Sequence, residues 1–75
     1  MMIIEDKYIE LSIVVPVYRS AAILPTLVQQ TQDAMVKEGL SGSFELILVN
    51  DAGPDNSWAV IQSLAATHDF IRGIN

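Results

Sequence analysis

Two nearly continuous apolar runs, LSIVVPV at residues 11–17 and FELILV at residues 44–49, constrain this chain more than any other feature in it. Both are rich in β-branched residues, and neither shows the polar alternation of a strand with one wet face. Each therefore reads as a strand covered on both faces, as in a parallel sheet, with Glu45 the one polar interruption. Pro16 falls near the end of its run, where a missing N–H costs little. Parallel neighbours cannot be joined by a hairpin, so the chain between them has to make a crossover, usually through a helix.

The intervening segment supplies that helix. Ile23, Leu24, Leu27, Val28, Thr31, Ala34 and Met35 recur at steps of three and four, the spacing of an amphipathic helix. Pro25 cannot sit deep inside it, which places the start near Leu24, with Ser20 to Ala22 as the entry turn. The helix is expected to stop at Gly39, and LSGS at 40–43 is a short polar loop. After the second run, Asn50 to Pro54 forms a turn, and Asp55 reads as the N-cap of a second helix with an apolar stripe of Trp58, Ile61, Leu64 and Ala65. Phe70 to Ile74 would begin a third strand. The expected fold class is α/β: β-α-β-α-β with a parallel sheet, joined by right-handed crossovers.

In such open sheets ligands sit beyond the carboxyl ends of the strands. Two stretches lie there, Pro16-Val17-Tyr18-Arg19-Ser20 and Asn50-Asp51-Ala52-Gly53. Asp51 can accept hydrogen bonds from an N–H edge or a hydroxyl pair, or hold a cation, and Tyr18 offers an aromatic face on which a base can stack. Together they suit a nucleotide. The plainer reading of the residues alone is that Asn50 and Asp51 organise their own turn, since such side chains commonly bond backbone groups two residues on. Trp58 reads as core, His68 as a solvated or dipole-facing residue at the end of the second helix, and Arg19 as a lone basic residue within reach of a phosphate. No G-x-G-x-x-G follows the first strand and no G-x-x-x-x-G-K-S/T occurs, which removes both phosphate-loop classes.

Bulk properties narrow the field further. With 75 residues the chain is at most one small domain, and with 51% apolar residues it is built to pack. A net charge of −5, with Lys7, Arg19, Lys37 and Arg72 scattered, argues against nucleic-acid binding. The absence of cysteine removes disulfides and thiolate metal sites. No apolar run is long enough to span a bilayer, and the acids in MMIIEDKYIE are unlike a signal peptide, so a cytoplasmic location is expected. Residues 1–10 read as a lead-in. The ending directly after an apolar pair reads as that of a single partial domain over residues 1–75.

With both strand ends in view, the chain resembles the N-terminal part of a family-two glycosyltransferase of the GT-A type. SIVVPVYRSAAILPTLV is similar to that family's opening strand, Pro-Val-Tyr-Asn-Glu turn and following helix. ELILVNDAGPDNSWAVIQSLA is similar to its second strand and the Asp-Asp-Gly-Ser-x-Asp block. The two blocks come in order and cover nearly the whole chain. The wording VNDAGPDNSW…GIN looks closest to the branch that moves a sugar onto a polyisoprenyl phosphate at the cytoplasmic membrane face.

The resemblance implies a truncated Rossmann-like GT-A half. It implies that Pro16, Val17 and Tyr18 line a base and ribose pocket and that Asp51 hydrogen-bonds the base of a nucleotide-diphosphate sugar. Val49 would make a contact beside Asp51, with Asn50 its companion and Ser20 at the rim. Arg19-Ser20 replaces the family's frequent Asn-Glu, and Ala52-Gly53 its Gly-Ser, so a carboxylate and a hydroxyl of the usual pattern are missing. The family's Asp-x-Asp, which holds a divalent cation (Mg or Mn), has no counterpart in residues 1–75, nor do the acceptor site and catalytic base. No catalytic residue and no cofactor are therefore assigned within this segment, which is expected to be inactive alone. A non-catalytic α/β protein-interaction module derived from such a domain is the alternative. A receiver-type signalling domain fits less well, because Pro16-Val17-Tyr18 stands where an acidic cluster would be needed. A sheet of three strands leaves unpaired edges, so a homo-oligomer through those edges is expected.

Overall fold

The computed structural model describes residues 9–51 and 55–75. Five elements follow one another: β1 (Leu11–Val17), α1 (Leu24–Lys37), β2 (Phe44–Asn50), α2 (Ser57–Thr67) and β3 (Ile71–Ile74). The three strands form one parallel sheet in the order β1-β2-β3, with Leu11 opposite Phe44, Val17 opposite Asn50, and Leu46 opposite Ile71. This is the expected β-α-β-α-β arrangement with a parallel sheet, of Rossmann-like character. The third strand begins one residue later than its apolar run, although the Phe70 carbonyl already accepts the Leu46 N–H at 2.8 Å.

The helix ends follow from local chemistry. Pro25 lies in the first turn of α1, where its missing N–H would have had no partner, and Ile23 occupies the N-cap. Gly39 closes α1 at φ 73°, a left-handed conformation that glycine adopts without steric cost. The Leu40 N–H then reaches the Met35 carbonyl at 2.8 Å and the Gly39 N–H reaches Val36 at 3.1 Å, the paired bonds of a Schellman ending. At α2 the sequence expectation needs correcting: the N-cap is Asn56, one residue after Asp55. Asp55 still serves the helix start, because its carboxylate takes the Ser57 N–H from one position further out.

A second correction concerns the faces of the sheet. Side chains alternate along each strand, so Val17, Phe44, Leu46, Leu48 and Ile71 share one face, and all are buried with Leu24 and Val28 of α1 and Ile61 of α2. Both helices therefore cover the same side. Strands laid down in sequential order by crossovers of one hand can give no other result. The opposite face, with Val14, Pro16, Ile47, Val49 and Ile74, is uncovered by either helix; Val14 is 60% and Ile74 51% exposed. At its far end Ser12 donates to Glu45, which also meets Arg72 at 3.7 Å. Continuous apolar character thus does not mean two covered faces in this chain.

α2 packs closely on β3 at Gly73. A Cβ placed on Gly73 would lie 2.6 Å from Ile61 Cγ2 and 3.3 Å from the Trp58 ring. The glycine lets α2 approach the strand. The expected α2 stripe is observed, with Ile61 buried and Trp58, Leu64 and Ala65 packed against the core. In α1, Leu24 and Val28 carry the burial, whereas Ile23 at the cap is 62% exposed.

Candidate functional site

The carboxyl ends of β1 and β2 lie side by side. The Asp51 N–H donates to the Val17 carbonyl at 2.9 Å, continuing the ladder by one bond beyond the strand. Parallel pairing therefore brings together PVY and ND, as the spacing predicts. Val17 is buried and fixes the end of β1 in the core. Directly after it the chain leaves the sheet, so Tyr18 emerges 52% exposed, with the Arg19 guanidinium carbon 5.3 Å from its ring centroid.

Arg19 stands at φ 52°, in the left-handed region that Asn and Asp enter more readily than other non-glycine residues. The kink turns the chain from strand into the entry of α1. Ser20 holds it: its hydroxyl donates to the Tyr18 carbonyl at 2.9 Å, and its own carbonyl accepts the N–H groups of Ile23 and Leu24 at 3.1 and 3.2 Å. The Ser20 hydroxyl proton is thus spent within the turn, although its oxygen can still accept.

On the β2 side, Asn50 and Asp51 diverge. Asn50 lies on the helix-covered side, where its Nδ2 donates to Asn75 Oδ1 at 2.8 Å; its Oδ1 is buried with no partner among the described residues. It therefore ties the ends of β2 and β3 together. Asp51 is exposed beyond the strand. The hydrogen bond of the plainer turn-forming reading would fall on Gly53, and residues 52–54 lie outside the described ones. Pro16 and Val49 face each other across the β1–β2 register on the uncovered side of the sheet.

Sequence reasoning missed one feature of the region. The buried Ser57 hydroxyl donates to Asp55 Oδ1 at 2.6 Å and accepts the Ser20 N–H at 3.2 Å, while Asp55 Oδ2 accepts the Ala21 N–H at 3.3 Å. Asp55 thus caps across two loops. The Ser57 hydroxyl chiefly holds its carboxyl below the ordinary carboxylate range; desolvation, the next largest effect, opposes it, and the N–H groups of Ala21 and Ser57 add to the lowering. The signal in the sequence was the short spacing D-x-S before an apolar helical run, which was legible as a cap but not as a bridge.

The described residues contain no group of three or more His, Asp or Glu side chains arranged to hold a metal ion. None of their helices is long and apolar enough to cross a membrane.

The parallel βαβαβ unit, with PVY and ND at adjoining strand ends, is an open α/β domain, and comparison with known proteins gives its family. Glycosyl transferase family 2 matches residues 12–75, and the chain belongs to that family. It is 40% identical over 58 residues to the undecaprenyl-phosphate 4-deoxy-4-formamido-L-arabinose transferase of Shewanella sediminis, covering 77% of this chain and 17% of that protein. It is similarly related to proteins of the same name from Pseudomonas aeruginosa strain LESB58 (39% over 54 residues, 72% and 15%) and Sodalis glossinidius (39% over 59 residues, 79% and 18%). The chain spans less than a fifth of the length of these relatives. Both the family and the polyisoprenyl-phosphate branch suggested by the two sequence blocks agree with these matches.

Proposed function

We propose that this chain supplies the donor-nucleotide wall of a transferase that moves a sugar from a nucleotide-diphosphate sugar to a polyisoprenyl phosphate. In this reading the base stacks on Tyr18, Pro16 lines the base and ribose with Val17 supporting it from the core, and Asp51 accepts hydrogen bonds from the N–H edge of the base. Val49, Asn50 and Ser20 complete the surround. The observation that carries it is the Asp51 to Val17 backbone bond of 2.9 Å, which sets an aromatic ring and a carboxylate at the adjoining ends of two parallel strands. The names of the relatives support the acceptor class. Action at the cytoplasmic face of a membrane follows from the same reading.

In a transferase of this kind a divalent cation would act as Lewis acid on the leaving diphosphate. The described residues do not fit such an ion, since no suitable group of ligands is gathered among them, and no step is assigned to it here. The segment alone is therefore expected to be inactive. Incubating the 75-residue chain with sugar nucleotides and Mg or Mn should give no transfer or hydrolysis above background. Metal-dependent product would contradict the assignment. Calorimetric titration with uridine and guanosine diphosphates tests the nucleotide wall directly: saturable binding to one of them supports it, and no heat with either counts against it.

The uncovered apolar strip of Val14, Ile47, Val49 and Ile74 favours a second reading, a non-catalytic α/β protein-interaction module derived from such a domain. The outer edges of β1 and β3 have no strand partner among the described residues, and a homo-oligomer formed through them fits either reading. Sedimentation at micromolar concentration should show a species larger than 8.2 kDa; a stable monomer would count against the oligomer.

A further inference from the structure

We infer that Asp55 and Ser57 are positioning residues for the nucleotide wall: they lock the β1–α1 turn to the start of α2, so that Tyr18 and Asp51 are presented together. The inference rests on the nucleotide reading above and adds two residues to it that touch no nucleotide. Two successive backbone N–H groups of the turn, those of Ser20 and Ala21, have no intrahelical partner because they precede α1. Both point to the start of α2 and the residue pair before it, to Ser57 Oγ at 3.2 Å and Asp55 Oδ2 at 3.3 Å. Ser57 donates its proton to Asp55 Oδ1 at 2.6 Å, so the carboxylate orients the hydroxyl whose lone pair holds the turn.

The bridge reaches Tyr18 through Ser20. Ser20 is bonded to the Tyr18 carbonyl on one side and to Ser57 on the other, and the left-handed Arg19 between them leaves the turn no slack. Asp51 is tied to the same strand end through Val17. With the bridge intact, ring and carboxylate belong to one rigid frame. Without it, the frame must be assembled at the moment of binding, and the ordering cost falls on affinity.

Three variants and two readouts test this. In the 75-residue chain, Ser57→Ala should speed amide hydrogen exchange at Ser20, and Asp55→Asn should do so at Ala21, while Leu46 and Leu48 keep their protection. Each should weaken uridine or guanosine diphosphate binding about three- to tenfold, the net worth of roughly one hydrogen bond. Leu46→Val, a core change away from the turn, should lower thermal stability and leave affinity unchanged. Should Ser57→Ala fail to fold, Asp55→Asn, altering an exposed side chain, carries the test alone. Unchanged affinity in the variants, or unchanged exchange at Ser20 and Ala21, overturns the inference while leaving the nucleotide reading in place. Failure of the unsubstituted chain to bind either nucleotide overturns that reading and the inference with it.

Discussion

At the scale of single residues, Tyr18 and Asp51 carry the functional reading, and their roles separate by substitution. Base stacking on an aromatic ring is worth about 1–3 kcal/mol, so Tyr18→Ala should weaken nucleotide binding by at least several-fold and Tyr18→Phe should leave it nearly intact. Calorimetry on the three proteins decides the point. Asp55 makes a different prediction, one of pH. Its carboxyl is held below the ordinary carboxylate range, chiefly by the Ser57 hydroxyl. A depressed folded-state pKa contributes stability above the unfolded value and loses it as pH falls through the folded value. Asp55→Asn should therefore lower the melting temperature at neutral pH, with the difference from the unsubstituted chain shrinking below about pH 4, the ordinary carboxylate range. A difference that persists unchanged to pH 2 would show that the carboxylate charge is immaterial to the bridge. The sequence marked Asp55 as a helix-start residue because D-x-S before an apolar run is a local pattern. Its long-range partner Ala21 lies 34 residues away in the chain, and Ser20, the partner of the Ser57 hydroxyl it orients, lies 37 residues from Ser57; no local pattern encodes either.

At the scale of elements, periodicity and punctuation were sufficient. β1 occupies Leu11–Val17, the same residues as its apolar run, and α1 begins at Leu24 because Pro25 is admissible only in a first turn. Gly39 ends α1 because its φ of 73° suits a residue without Cβ. What periodicity could not supply was which faces are covered. An apolar run on both sides of β2 records what the strand is suited to contact, whereas the placement of helices depends on strand order, and strand order is a long-range property. Gly73 illustrates the same limit. In the sequence it is one glycine near an end, but in the fold it is where Ile61 and Trp58 meet the strand. Gly73→Ala forces an overlap with Ile61 and should destabilise the chain by about 1–3 kcal/mol, the usual cost of overpacking. Leu46→Ala, at the fully buried centre of β2, should cost about 2–5 kcal/mol. Chemical denaturation of the two variants beside the unsubstituted chain measures both losses.

At the scale of the whole molecule, the sheet has two different surfaces: one sealed by both helices, the other covered by neither helix, with Val14 and Ile74 exposed on it. Exposed apolar area of this kind marks a surface suited to contact. Val14→Lys should raise solubility with little change in folding, and solubility measured by centrifugation tests it. The candidate site draws on both, with Pro16 and Val49 on the open face and Val17 and Asn50 on the covered one. It lies at the carboxyl end of the sheet, where two strands and the turns that follow them converge, and it was legible in the sequence because parallel topology fixes where strand ends meet. The central claim is that this end of the sheet receives a nucleotide. Titrating isotopically labelled chain with uridine and guanosine diphosphates and following backbone amide resonances tests it most directly. The account predicts saturable shifts at Tyr18, Ser20 and Asp51, with Gly39 to Ser43 at the opposite end of the sheet unmoved. Shifts confined to that opposite end, or none at Tyr18 and Asp51 with either nucleotide, would contradict it.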